Sequence, residues 1–270
     1  MPTLAELVRE HAALTPAEED WVRLVVSDWQ LVSDLSFADL VLWVRIDAES
    51  WHAVAHVRPT TGQTVHVKDQ VGARASVRRA KMLQESYITQ RVLRDRDTEW
   101  SEDQPVREES IPVVRNGRAL AVITRHTNLA MMRTPSRLEL TYLATADSLL
   151  RMLSTGDFPH PGAPTGLRRG APRVGDGVIR LDVDGQITYA SPNAVSALHR
   201  IGHLGEILGA SLAQVVTSVL RDTSPVDEGM PLVLTGRQPW RTEVSNAGAV
   251  ISMRAIPLTE LGQRVGAILL

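Results

Sequence analysis

Apolar positions near the start of the chain recur at helical spacing and then give way to strand-like runs. Trp21, Leu24, Val25, Val32 and Leu35 keep a period close to that of a helix, which predicts one helix over 16–34 and a shorter one over 4–13. Thr3-Leu4-Ala5-Glu6 and Thr15-Pro16-Ala17-Glu18 both have capping-box spacing: the Thr hydroxyl accepts from the third helical N–H, and the Glu reaches back. Pro16 takes the first helical position, where its missing N–H is harmless. "ADLVLWVRID" (38–47) and "WHAVAHVRP" (51–59) are rich in branched and aromatic residues and predict strands, with "TGQTVHVKD" (61–69) as a third. "VRRAKMLQESYITQRVL" (77–93) predicts a helix. Between Arg91 and Ser110 eleven of twenty residues are charged, with both signs mixed, which predicts an exposed loop. "EESIPVVRNGRALAVITRHT" predicts a hairpin, because Asn116-Gly117 suits the positive φ angles of a type I′ turn. Thr134-Pro135 then opens a helix with Leu138, Tyr142, Ala146, Leu149, Leu150 and Leu153 along one side, closed by Gly156.

The later pattern is different. "GVIRLDVDGQITYAS" (177–191) predicts two short strands joined at Asp184-Gly185, with Val178, Leu181 and Val183 packing inward beside Ile187. Ser191-Pro192 starts a helix that buries Val195 and Leu198. Asp182 and Asn193 are placed to hydrogen-bond backbone near the turn and the helix start. Gly202 and Gly209 break the helical pieces that follow. "WRTEVSNAGAVISMRAIPLTELGQRVGAILL" closes with three strands, turning at Asn246-Ala247-Gly248 and near Gly262.

Composition divides the chain in the same way. At 270 residues it has room for about two domains of ~100–200 residues each. Residues 1–150 hold three glycines (Gly62, Gly72 and Gly117), and the other fifteen of the eighteen follow. Five of the six tryptophans (Trp21, Trp29, Trp43, Trp51 and Trp100) lie in the first part. "GDFPHPGAPTGLRRGAPRVGDG" (156–177) is dense in Gly and Pro and reads as a linker. The expected division is an antiparallel α+β domain with N-terminal helices over 1–155, a linker over 156–176 and a second α+β domain over 177–270.

Charge and cysteine usage exclude several classes. A net charge of −2 gives no pull toward nucleic acid or an acidic membrane surface. The absence of cysteine excludes disulfides, thiolate zinc sites, iron–sulfur clusters and cysteine-linked flavin or bilin. "MPTLAELVREHAALTP" lacks the pattern of a signal peptide, and no window approaches the ~20 apolar residues of a membrane helix. A cytoplasmic protein with no membrane or direct nucleic-acid partner is the expectation.

The element order of the first half fits a GAF domain. Two strands, short helices and three closing strands, with the D-x-x-G-x-I spacing of Asp182 to Ile187, resemble a PAS domain. Three segments go further. "WQLVSDLSFADLVLWVR" (Trp29–Arg45), "LLRMLSTGDFP" (Leu149–Pro159) and "GDGVIRLDVDGQITYASPNAVSALHRIG" (Gly175–Gly202) resemble the sensory half of actinobacterial cytosolic sensor histidine kinases of the PdtaS type. The resemblance implies GAF then PAS, followed in that family by a phosphoacceptor domain and an ATP-binding core that phosphorylates a response regulator. The chain stops at "VGAILL" with no H-x-x-V-K-N-N phosphoacceptor motif, N-box or glycine-rich lid. It therefore reads as a sensory region without catalytic residues, and the kinase activity and its ATP belong to the parent protein. Without phosphoacceptor helices it is expected to be a monomer or weak dimer, since a stable interface usually buries more than ~1,000 Å². The alternatives are an input region for a cyclic-nucleotide enzyme or phosphatase, or a stand-alone interaction module.

Candidate chemistry is sparse. His52 and His56 are predicted to share a strand face, with His66 on a neighbouring strand and His126 at the end of the later hairpin. Such imidazoles are candidates for zinc or copper, weighed against ordinary singly hydrogen-bonded histidines, which is the reading preferred here. His199 and His203 have helical spacing interrupted by Gly202, and His199 offers a haem-ligand position, set against a half-exposed helix residue. Arg74, Arg78, Arg79 and Lys81 are basic enough for a nucleotide phosphate but read first as a solvated helix face. Asp182 and Asp184 read as turn residues rather than an acid–base pair. Ser191 and Ser196 have no positioned base. A small-molecule ligand is expected, with neither cofactor nor metal site identified.

Overall fold

Thr15 caps the second helix as its spacing predicts: its hydroxyl accepts from the Glu18 N–H at 3.4 Å, and its own N–H donates to the Glu18 carboxylate at 2.8 Å. The computed structural model describes residues 4–11, 13–47, 50–95, 99–101, 104–130, 134–164, 170–220, 230–246 and 248–270. The chain divides into two units, residues 1–159 and 160–270.

Unit 1 runs α1 (Leu4–His11), α2 (Pro16–Ser36), β1 (Asp39–Arg45), β2 (Trp51–Val57), α3 (Val77–Thr89), β3 (Leu93–Arg94), β4 (Glu99–Ser101), β5 (Gln104–Arg115), β6 (Arg118–Asn128) and α4 (Arg137–Thr155). The antiparallel sheet has the order β2-β1-β6-β5-β3, with β4 added on β5. Asn116 and Gly117 take φ of 50° and 74°, the paired left-handed geometry of a type I′ turn, and this sets the β5–β6 register. Side chains alternate across the sheet, so cross-strand partners share a face. One face carries Val41, Trp43, Trp51, Ala53 and Val122 and packs on Ala80 and Leu83 of α3. The other faces α4, where Arg125 of β6 meets Asp147 at 2.8 Å. Ser136, rather than Thr134, caps α4 in a capping box with Glu139, and Gly156 ends it at φ 82°.

Two expectations for unit 1 fail. Residues 61–69 form no strand, because their polar groups are held by side chains: Thr64 donates to Asp39 at 2.7 Å, the Val65 N–H also donates to Asp39, and Arg58 donates to the His66 carbonyl at 2.9 Å. The charged run 91–110 is not a free loop. It contributes β3, β4 and the start of β5, with Glu108 and Glu109 2% and 3% exposed. Arginines from outside the run, Arg79 and Arg125, neutralise them there.

Unit 2 has a 3-10 turn at Val174–Asp176, then β7 (Ile179–Leu181), β8 (Ile187–Ala190), α5 (Pro192–Arg200), α6 (Leu212–Thr217), α7 (Met230–Leu234), β9 (Arg241–Asn246), β10 (Ala249–Glu260) and β11 (Gln263–Leu269). Its sheet has the order β8-β7-β11-β10-β9, all antiparallel. The inner face (Ile179, Leu181, Met253, Ala255, Ala267 and Leu269) packs on Leu198, Leu212, Val215, Val233 and Leu234 of the helices. Gly266, at φ 145°, is required because a Cβ there would run into the Leu181 carbonyl. Val183, expected inside, is 46% exposed, because it follows β7 into the turn built on Asp182.

Candidate functional site

Register decides which polar side chains meet in unit 1. Asp39 pairs with His126, which pairs with Glu108, and Val41 pairs with both His56 and Thr124. Asp39, His56, Glu108, Thr124 and His126 therefore share the face that α3 covers only in part. The segment 58–72 lies over the remainder and brings in His66, which is 7% exposed. The His66 ring centroid stands 4.6 Å from that of His126 and 5.7 Å from that of His56.

A hydrogen-bond chain organises the cluster. Trp43 Nε1–H donates to Thr124 Oγ1 at 2.8 Å, and that hydroxyl lies 2.8 Å from His126 Nε2. His126 Nδ1 is 3.7 Å from Glu108, which accepts from Arg79 Nε at 2.9 Å and from its terminal nitrogen at 2.6 Å. Paired N–H donors on one carboxylate are the geometry at which arginine excels. His56 lies 3.7 Å from Asp39 and 3.4 Å from Asp69. Nε2 of His66 is buried without a hydrogen-bond partner.

Burial pushes the His66 imidazole below its ordinary range, with the Asp39 carboxylate partly opposing this. Burial likewise holds His126 well below it, helped by the nearby Arg79 charge. Burial pushes Asp39 up, but the His56 ring 3.7 Å away and hydrogen bonds from Thr64 and Val65 outweigh it and leave the carboxyl below its usual value. His66 and His126 are thus neutral rings, and Asp39 an anion, at neutral pH. Among the described residues no three His, Asp or Glu side chains are placed to hold a metal ion. The cluster is suited to changing state with protonation or occupancy.

The other sequence candidates fall elsewhere. The expectation that His52 and His56 share a face is corrected by a bulge: β2 slips against β1 between Leu42 and Trp43, so His52 pairs with Val44 and His56 with Val41, on opposite faces. His52 accepts from Arg74 at 3.2 Å and stays apart from His66. Within the basic run, Arg79 turns inward to Glu108 and Arg78 meets Asp95 at 2.6 Å, while Lys81 is exposed. His199 is exposed on α5 and does not line the cleft beside that helix, and His203 lies past the helix end. Asp182 accepts from the Asp184 and Gln186 N–H groups at 2.9 Å each, a turn role. Ser191 accepts from Val178 and Ala194, and Ser196 donates to Pro192. Unit 2 also has a cleft of about 230 Å³ beside α5, lined by Ile179, Ala194, Leu198, Met253 and Leu269 together with Asp176 and Arg200.

Sequence reasoning missed Asp39, Glu108, Thr124 and the inward turn of Arg79. A lone carboxylate opening the apolar run "DLVLWV" was the available signal for Asp39.

Comparison with known families settles the fold. Residues 4–146 match the family model described as Histidine kinase PdtaS, GAF domain. The chain belongs to this family. Residues 172–270 match the PAS fold model. The whole chain is 38% identical over 276 residues to the sensor histidine kinase PdtaS of Mycolicibacterium smegmatis, and 38% identical over 285 residues to that of Mycobacterium tuberculosis. It spans 55% of the length of each. A solved structure titled "Sensor region of a sensor histidine kinase" superposes with a TM-score of 0.85 at 38% identity, covering 100% of this chain and 97% of the other. Unit 1 therefore contains a PdtaS-type GAF domain and unit 2 a PAS domain, so the α+β expectation of GAF followed by PAS is met. No helix among the described residues is long and apolar enough to cross a membrane.

Proposed function

We propose that this chain is the signal-receiving region of a PdtaS-type sensor histidine kinase, and that its two sheets govern an ATP-dependent autokinase core belonging to the rest of such a protein. The phosphoryl group then passes to a response regulator. The match along the entire chain to a solved sensor region carries this reading. The site chemistry agrees with it: the described residues offer a buried polar cluster and an apolar cleft, both suited to receiving a signal. A signal passes only if a ligand, proton or partner favours one of two arrangements of these units. The sensory region alone is monomeric or weakly dimeric, and the kinase core supplies the tight contact.

A chimera tests the proposal. This chain replaces the matching segment of the Mycolicibacterium smegmatis relative, and phosphohistidine formation from labelled ATP is measured. The chimera should autophosphorylate within about tenfold of the relative, and this chain by itself should give no phosphohistidine. A folded chimera without activity would count against the sensory role, as would stoichiometric labelling of this chain alone.

A further inference from the structure

The segment over the histidine cluster is fastened differently at its ends and at its middle. At one end the Thr60 N–H and hydroxyl both donate to Asp34, at 2.6 and 3.0 Å. At the other, Gly72 and Ala75 donate to the Ala53 and Trp51 carbonyls of β2 at 2.8 and 3.0 Å, and the Ala73 carbonyl accepts from Ala53 at 3.0 Å. Among the described residues the middle is hydrogen-bonded through side chains, with Val65 also buried: Thr64 and Val65 on Asp39, the His66 and Val67 carbonyls on Arg58, and Gln70 on His56. Glycines stand near both ends, and Gly72 has a φ of 85°. Val67, at the middle, is 74% exposed. His66 is the one histidine of the cluster carried by this segment rather than by a strand.

We propose that residues 62–70 form a proton-released lid, in which protonation of His66 swings this segment off the sheet and uncovers His126 and Thr124 while Thr60 and the 72–75 stretch stay pinned. The groups facing His66 are Asp39 from β1, His56 from β2, Glu108 from β5, His126 from β6 and Arg79 from α3, with Arg58 and Asp69 from its own connection. Both buried carboxylates are already engaged. Asp39 already accepts from Thr64 and Val65, and Glu108 holds Arg79 through two donors. The new charge would also face the Arg79 guanidinium. Nε2 of His66 has no partner in the closed state, so the ring gives up no hydrogen bond there on leaving. The dominance of burial over the Asp39 attraction sets the direction: the charged ring is better solvated outside. Moving a segment anchored mainly by side chains is the least disruptive way to hydrate it. The lid concerns one segment of unit 1 and stands apart from the kinase assignment.

Hydrogen exchange on the full chain, corrected for the intrinsic pH dependence of exchange, tests this at pH 7.5 and 5.5. Protection across 62–70, including the Val65 amide, should fall at least tenfold on acidification while β10 and β11 change less than twofold. In His66→Gln, which keeps a polar side chain without titration, lid protection should agree within twofold at the two pH values. If that variant opens the lid at both pH values, the wild-type His66 ring signal decides by NMR: its titration midpoint should coincide with that of lid opening. Unchanged wild-type protection, acid opening of His66→Gln equal to wild type, or two distinct midpoints would overturn the lid.

Discussion

The two sheets pair their strands in the same antiparallel way but bury different chemistry. Under α3, unit 1 places Asp39, Glu108, His66 and His126 beside Trp43 and Val122, and on its other face it buries Glu109 and Arg125. Among the described residues of unit 2 the only buried side chain carrying a charge at neutral pH is Arg254, and the face toward the helices is packed by Ile179, Leu181, Val244 and Leu269. Apolar burial is indifferent to pH. A buried charge is stable only while its partners are in place. Unit 1 is accordingly built to change with conditions, and unit 2 to hold its shape around a cleft.

The strongest way to sharpen this contrast is to separate the units. We propose that the linker runs over 156–176, from its Gly and Pro content, while the structure divides the units at 159/160. Limited proteolysis should cut inside 156–177 before either flank, and early cleavage within 178–270 would argue against that boundary. Next in size is Arg79→Ala, which leaves Glu108 buried without its paired donors. It should cost unit 1 about 3–5 kcal/mol in urea unfolding while leaving unit 2 unchanged. Leu198→Ala should cost unit 2 about 3 kcal/mol, equally at pH 7.5 and 5.5, because the loss is contact and cavity rather than charge. Ser191→Ala removes a cap on α5 that also holds the Val178 N–H, and should cost unit 2 about 1–2 kcal/mol in the same measurement.

Most of the scaffold is legible in the chain because its determinants are local. Thr15 with Glu18, Asn116-Gly117, Ser191-Pro192 and the Asp182 turn are each settled within a few residues. The cluster is legible only in fragments, because its members come from β1, β2, β5, β6, α3 and the 58–72 connection. One bulge in β2 reverses the expected relation of His52 to His56, and nothing in "WHAVAH" marks it. Glu108 looks solvent-bound amid charged neighbours, and its partner Arg79 lies 29 residues away. The 61–69 stretch has strand composition, yet Asp39 and Arg58 satisfy part of its backbone in place of a neighbouring strand.

The pH dependence of unfolding, resolved by unit, tests the contrast most directly. His66 and His126 sit below the usual 6.5 in the folded chain, so just under that pH the unfolded chain binds more protons. Stability of unit 1 should therefore be flat above 6.5 and fall as pH drops from 6.5 toward the folded values. Asp39 adds its own loss only in more acid solution, below its ordinary 3.8. Five of the six tryptophans lie in residues 1–150, so their fluorescence follows unit 1, and Trp240 reports unit 2 once those five are replaced by phenylalanine in a folded variant. The urea midpoint of unit 1 should drop between pH 7.5 and 5.5 while that of unit 2 holds. A midpoint for unit 1 that stays constant or rises on acidification, or an equal drop in both units, would contradict it.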